Sequence, residues 1–215
     1  VLSITPSEHG VIMTISKRLV TREADISIVA AAGELMGMSI AIRRDNDIVA
    51  LYDTYTKSII GASLPQDITH VRGSVAYLKT DNSSSYGPAP EPLHAVEHIE
   101  QISDIIADLT DPGTVVSSRF GLSAEMLQRW LKGSDRVYSV TFFHDGNIAR
   151  DSVGDAKGTI KHRDSLVYVH AEGWSEALMN EPDISLRATE YGIFDSWGEG
   201  MRVDAWGVEV YSDAA

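Results

Sequence analysis

The chain contains no cysteine. Disulfides, iron–sulfur clusters and thiolate zinc sites are therefore excluded, and the absence is compatible with a reducing compartment. Proline is sparse, seven in 215 residues. No apolar run approaches the roughly 20 residues needed to cross a bilayer, and no stretch reads as a signal peptide, so no membrane partner is expected. Positive charge is also scarce: 18 Lys and Arg stand against 31 Asp and Glu, a formal charge of −13. A surface of that sign repels phosphate, which argues against a general nucleic-acid binder. The densest basic clusters, Lys17-Arg18, Arg43-Arg44 and Lys161-His162-Arg163, are short and interrupted, as on a solvated face. The usual catalytic signatures are missing too: there is no G-x-S-x-G elbow, P-loop, dinucleotide glycine pattern or EF-hand loop. "RRDND" and "FFHDGNIARD" cluster acids, but Asp-Asn and Asp-Gly pairs read as turns or helix ends.

What is present is enough apolar material, 43% of residues, for one domain of ordinary size or two small lobes. The chain opens with Val1 rather than Met, and at once with strand-like residues. Either processing has removed an N-terminal segment or these residues are part of a longer encoded protein. "GVIMTISK" at 10–17 predicts a strand with Val11, Met13 and Ile15 on one face and Ile12 and Thr14 on the other. From Thr21, a fair N-cap followed by Glu23 and Asp25, an uninterrupted pattern runs to about residue 54. Ile28, Ala32, Leu35, Ser39 and Ile42 follow its three-to-four spacing, flanked by Val29, Met36 and Ile40. As one helix it would span roughly 45–50 Å. Gly33 and Gly37 form a small-residue pair that suits close approach by another element.

Residues 56–92 are turn-rich, and "TDNSSSYGPAPEP" reads as a loop or lobe boundary. A helix follows at 99–109, with Ile99, Ile102, Ile105, Ile106 and Leu109 on one side, stopped by Asp-Pro-Gly at 111–113. Ser123 caps a second short helix carrying Met126, Leu127, Trp130 and Leu131, with Gly133 at its exit. "RVYSVTFFHDGNIARD" predicts two strands around an Asp145-Gly146 turn, and "SLVYVHAE" another strand. The ending predicts two long strands joined around Gly198 to Gly200. Trp197 and Trp206, with Tyr191, Phe194 and Tyr211, alternate along those strands as core or subunit-packing residues do. The class is α+β with one dominant helix.

One motif carries chemistry on its face. His94-Ala-Val-Glu97-His98 matches the H-x-x-E-H pattern of inverted zinc peptidases. That chemistry needs both histidines on one helical face, the glutamate as base and a third ligand elsewhere. Here Pro88, Pro90 and Pro92 prevent a helix before about Leu93. As a strand, His94, Val96 and His98 share one face while Ala95 and Glu97 point the other way, so the base faces away from any metal. No third-ligand signature is present. No metal or cofactor is expected, and a zinc hydrolase remains the rival from another functional class.

The order of pieces resembles the major capsid proteins of tailed double-stranded DNA bacteriophages, the fold shared with encapsulins and the herpesvirus capsid floor. "EHGVIMTISKRLV" looks like the returning strand of that family's extended E-loop and the lead-in to its spine helix. "YGPAPEPLHAVEHIEQISDIIADL" looks like its A-domain strand that runs into a helix. "FFHDGNIARDSVGDAKGTI" and "LRATEYGIFDSWGEGMRVDAWGVEVYSD" resemble the late A-domain and the closing P-domain strands. The resemblance implies a partial E-loop at 1–20, with the N-arm absent. It further implies a P-domain spine helix and crossover at 21–72, an A-domain at 73–180 and closing P-domain strands at 181–215. It also implies a virion shell subunit without catalytic activity. Such a subunit is assembled in the host cytoplasm from pentameric and hexameric capsomers and encloses double-stranded DNA without binding it specifically. Scaffold, portal and decoration proteins are the further partners it suggests. No position matches a motif for the family's occasional Lys–Asn cross-link. The expected assembly residues are Met13 and Ile15 in the arm strand, Arg43, Arg44 and Asp45 on the exposed side of the strut, and Trp197 at the tip of the closing hairpin. An encapsulin-type nanocompartment is the alternative within the same fold.

Overall fold

The computed structural model describes residues 2–22, 27–61, 63–80, 85–110, 138–171, 176–183 and 187–214. The expected helix at 123–133 and the Asp-Pro-Gly stop lie outside them. Two compact units emerge. The first comprises residues 1–48 and 168–200, the second 49–167 and 201–215. The chain passes between them at 48/49, 167/168 and 200/201.

In the first unit, β1 (Ser7–Ser16) leads through a short helix, α1 (Lys17–Arg22), to α2 (Ser27–Ala50). The strand alternation predicted for β1 is observed: Ile15 is buried, Val11 and Met13 are half-buried, and Ile12 and Thr14 are exposed. β1 runs antiparallel to β8 (Ala188–Met201) in unbroken register from Ser7↔Trp197 to Ser16↔Ala188. β7 (Glu176–Asp183) and β6 (Leu166–His170) also join β8, completing a four-stranded sheet. The dominant helix is α2, and a 3-10 turn, Leu51–Thr54, carries the winding to the expected end.

The second unit is built on a five-stranded sheet. Its members are β2 (Ser58–Ile60), β3 (Leu93–Glu97), β4 (Val140–His144), β5 (Asp155–His162) and β9 (Gly207–Asp213), in the order β2-β9-β5-β3-β4. Leu93, Ala95, Val140, Ile160, Val208 and Val210 meet Ile68, Val71 and Leu78 of α3 (Ile68–Thr80) and Ile105 and Leu109 of α4 (Ile99–Thr110) in one core. α4 is where the isoleucine spacing predicts it. α3 is a correction, because residues 56–92 read as turn-rich. Asp67 caps this helix by accepting from the His70 N–H at 2.8 Å.

Two expected hairpins are also corrected. After the Asp145-Gly146 turn, at which Asp145 Oδ1 accepts from Asn147 N–H at 2.9 Å, no strand returns along β4. β4 instead pairs in parallel with β3, and the chain meets the sheet again at β5. A buried parallel partner outcompetes the local turn. Likewise Gly198 to Gly200 lie inside β8. The chain reverses at 202–206, through a 3-10 turn at Asp204–Trp206, and β8 and β9 enter different sheets.

Candidate assembly surface

α2 carries two apolar stripes. Ala32, Met36 and Ile40, four apart, are buried. On roughly the opposite side, Leu35, Met38 and Ile42 are 57%, 60% and 48% exposed. The spacing predicted from sequence drew residues from both stripes, since a pattern apolar on two sides has no single best face. Gly33 and Gly37 have no close neighbour among the described residues: a Cβ built on either meets nothing within 4 Å. Leaving three large apolar side chains in water on one stripe forgoes roughly 1.5–3 kcal/mol each, and monomers seldom expose such contiguous surface.

β1 is a second unfinished feature. It ends the sheet, and among the described residues no strand pairs with its outer side. Its ten residues contain no lysine, proline or bulge, and Ile12 is 60% exposed. Natural monomers blunt edges of this kind.

The expected assembly residues are distributed unevenly. Arg43 lies on the surface, bonded to Asp47 at 3.1 Å, and Met13 is half-buried. Ile15 is buried and Asp45 half-buried. Arg44 does not point outward as expected. Its guanidinium pairs with Asp195 and lies over the rings of Trp197 and Tyr168, at 5.3 and 5.8 Å. Trp197 is not at a hairpin tip: it sits in β8, 0% exposed, with His9 stacked on it at 4.0 Å and its indole N–H donating to Asp47 at 3.3 Å. These two residues hold the first unit together from within. Burial alone would raise the Asp195 carboxyl. Hydrogen bonds from His170, its neighbour Ser196 N–H and Arg44 hold it below the ordinary carboxylate range. The sequence reading missed Asp195 and His170; the available signal was Asp195 and Trp197 on one face of β8, two apart.

His94 to Glu97 lie in β3, as the strand reading requires, and His98 follows between β3 and α4. Glu97 is fully buried, whereas His94, on the other face of the strand, is half-buried. His94 packs against Phe143 with ring centroids 5.8 Å apart, and His98 Nδ1 accepts from Glu100 N–H at the start of α4. The helical face that the zinc chemistry needs does not form. Glu97 is instead part of an internal polar knot. Gln66 donates to its Oε1 at 3.0 Å, and Gln101 donates to Ser212 Oγ at 2.7 Å and to the Ala156 carbonyl at 3.0 Å. Gly158 permits this, since a Cβ there would sit 2.9 Å from Glu97 Cγ. Burial pushes the Glu97 carboxyl up to about 7, against the opposing bond from Gln66.

No protein-family model matches the chain, and no curated protein matches its sequence. Solved structures do. The acid-stable capsid of Helicobacter pylori bacteriophage KHP30 aligns with a TM-score of 0.68 at 11% identity, covering 99% of this chain and 76% of that one. A structure from Mycobacterium phage Che8 aligns at 0.69 and 12%, covering 95% and 70%. The holo-SrpI encapsulin complex from Synechococcus elongatus PCC 7942 aligns at 0.67 and 10%, covering 95% and 73%. This chain has the phage-capsid fold. The capsid fold is thus the α+β architecture that the order of elements predicts, reached at an identity too low for any single residue to be matched by likeness. Among the described residues no helix is long and apolar enough to cross a membrane.

Proposed function

We propose that this protein is a major capsid subunit, copies of which assemble through pentameric and hexameric capsomers into an icosahedral shell around double-stranded DNA. The observation that carries this is the capsid fold across nearly the whole chain, combined with two surfaces left unfinished in the single copy. The outer stripe of α2, Leu35, Met38 and Ile42, and the open edge of β1 are the contacts offered to neighbours; Met13, Ile15 and Arg43 flank them. Arg44, Asp45 and Trp197 contribute by stiffening the element that presents them.

In this reading β1 is the E-loop arm (1–20) and α2 with its crossover is the P-domain strut (21–72). Residues 73–180 form the A-domain, and 181–215 close the P-domain. The subunit is structural, resides in the virion after assembly in the host cytoplasm, and works with scaffold, portal and decoration proteins. Its −13 charge keeps packaged DNA from adhering to the wall. The test is to express the chain, image the product and extract its contents. Closed particles enclosing DNA, or empty shells of capsid geometry, support the proposal. Particles that enclose a protein cargo instead mark an encapsulin-type compartment. Metal-dependent hydrolysis lost in the His94→Ala, His98→Ala double variant refutes both.

A further inference from the structure

Within the second unit, a cleft of about 260 Å³ opens beside β5 and β9. Val49, Ala50, Ile148 and Ala149 supply its apolar lining, and Tyr211 and Asp155 are among its polar residues. Asp155 is 1% exposed. Its Oδ1 accepts from Ser63 N–H at 2.8 Å, but its buried Oδ2 has no hydrogen-bond partner among the described residues.

The other charges around the cleft are already matched. Lys157 pairs with Asp53 and, at 3.6 Å, with Glu209, while Arg150 reaches Glu100 at 3.6 Å. Asp151 accepts the Tyr211 hydroxyl at 2.8 Å and the N–H groups of Val153 and Asp155 at 2.9 and 3.0 Å. The Tyr211 hydroxyl donates to Asp151, so Asp155 Oδ2 is left without a donor among the described residues. A buried carboxylate oxygen with no donor is costly, so a donor from outside is favoured, and a cationic one most of all.

We propose that this cleft binds an alkylammonium or alkylguanidinium group, with its charged head on Asp155 and its carbon stem along Val49, Ala50, Ile148 and Ala149. A bare metal ion suits the site poorly, because among the described residues no three carboxylate or imidazole groups converge. The apolar walls ask for a stem. Two sources share this chemistry: a lysine or arginine of another copy, or a small free amine. The site rests on the second unit alone and stands whether or not the shell reading does.

The test titrates n-butylguanidinium into the full chain, held dilute, followed by calorimetry and by amide shifts. One saturable site per chain is expected, with shifts centred on residues 148–157 and Tyr211. Neutral n-butylurea, and the Asp155→Asn variant that keeps the acceptor for Ser63, should each weaken binding by about tenfold or more, the loss of one charge-assisted hydrogen bond. Ala149→Phe fills an exposed wall without touching Asp155 and should abolish binding. No saturation, equal affinity for the urea, or unchanged binding in Asp155→Asn overturns the proposal. Should Asp155→Asn fail to fold, the urea comparison and Ala149→Phe decide. On assembled particles, retained probe binding assigns the site to a free amine, and exclusion of the probe assigns it to a side chain of another copy.

Discussion

Replacing Glu97 by glutamine should stabilise this protein at mildly basic pH and leave it unchanged in acid. Glu97 is fully enclosed, and its carboxyl titrates near 7 in the folded chain, against 4.5 for an ordinary glutamic acid. As pH rises from 4.5, the unfolded chain releases this proton first, while the folded chain retains it until about 7. The folded state holds more protons in that window, so stability falls as pH rises through it, by about 3 kcal/mol in all. Two oxygens in the knot, Glu97 Oε2 and Gln66 Oε1, lack partners among the described residues. Burial of the carboxyl is the reason the neutral form is preferred. Glutamine stays neutral at every pH and keeps the acceptor that Gln66 already uses. Urea unfolding of both proteins between pH 4.5 and 8 measures the effect. The stability difference should be near zero at the acid end and grow to about 3 kcal/mol in favour of the variant at pH 8. A difference that does not change with pH, or a variant less stable at pH 8, refutes the reasoning.

Three further outcomes follow from the same geometry. Trp197→Ala should cost about 3–5 kcal/mol in denaturant unfolding, because it empties a fully buried site beneath His9 and Arg44. Gly207→Ala should cost about 1–3 kcal/mol, since its Cβ would lie 2.0 Å from Tyr55 Cε1, although its extended backbone, φ −141°, suits any residue. Met38→Glu should abolish particle formation in size-exclusion profiles while the circular dichroism of the single chain stays the same; particles of normal size and yield would remove α2's outer stripe from the assembly contacts.

Where local spacing and long-range packing agree, the sequence was readable. β1 alternates because one of its faces is buried against its own chain, and α4 shows one apolar side because the sheet of the second unit covers it. The strand reading of "LHAVEH" followed from the prolines before it. α3 was missed because Gly61, Pro65 and the serine-, glycine- and proline-rich sequence after Thr80 dominate the local composition, although Asp67 followed by Ile68, Val71, Val75 and Leu78 is a capped helical pattern. The two hairpins failed for a different reason: turn chemistry at Asp145-Gly146 says where a chain bends, not which strand it will pair with. The Arg44–Asp195 pair joins residues 151 apart, and nothing local to either announces the other. α2 is the most instructive case, because its blurred periodicity is the superposition of a buried stripe and an exposed one, and the exposed one is the mark of an unfinished surface.

The central claim is that a single copy is incomplete, and particle mass tests it most directly. Light scattering on the expressed chain, together with any segment encoded ahead of Val1, should find rings or closed shells of many subunits that disperse when Leu35, Met38 and Ile42 are made polar. A species of 23.4 kDa that stays monomeric as concentration rises contradicts the account.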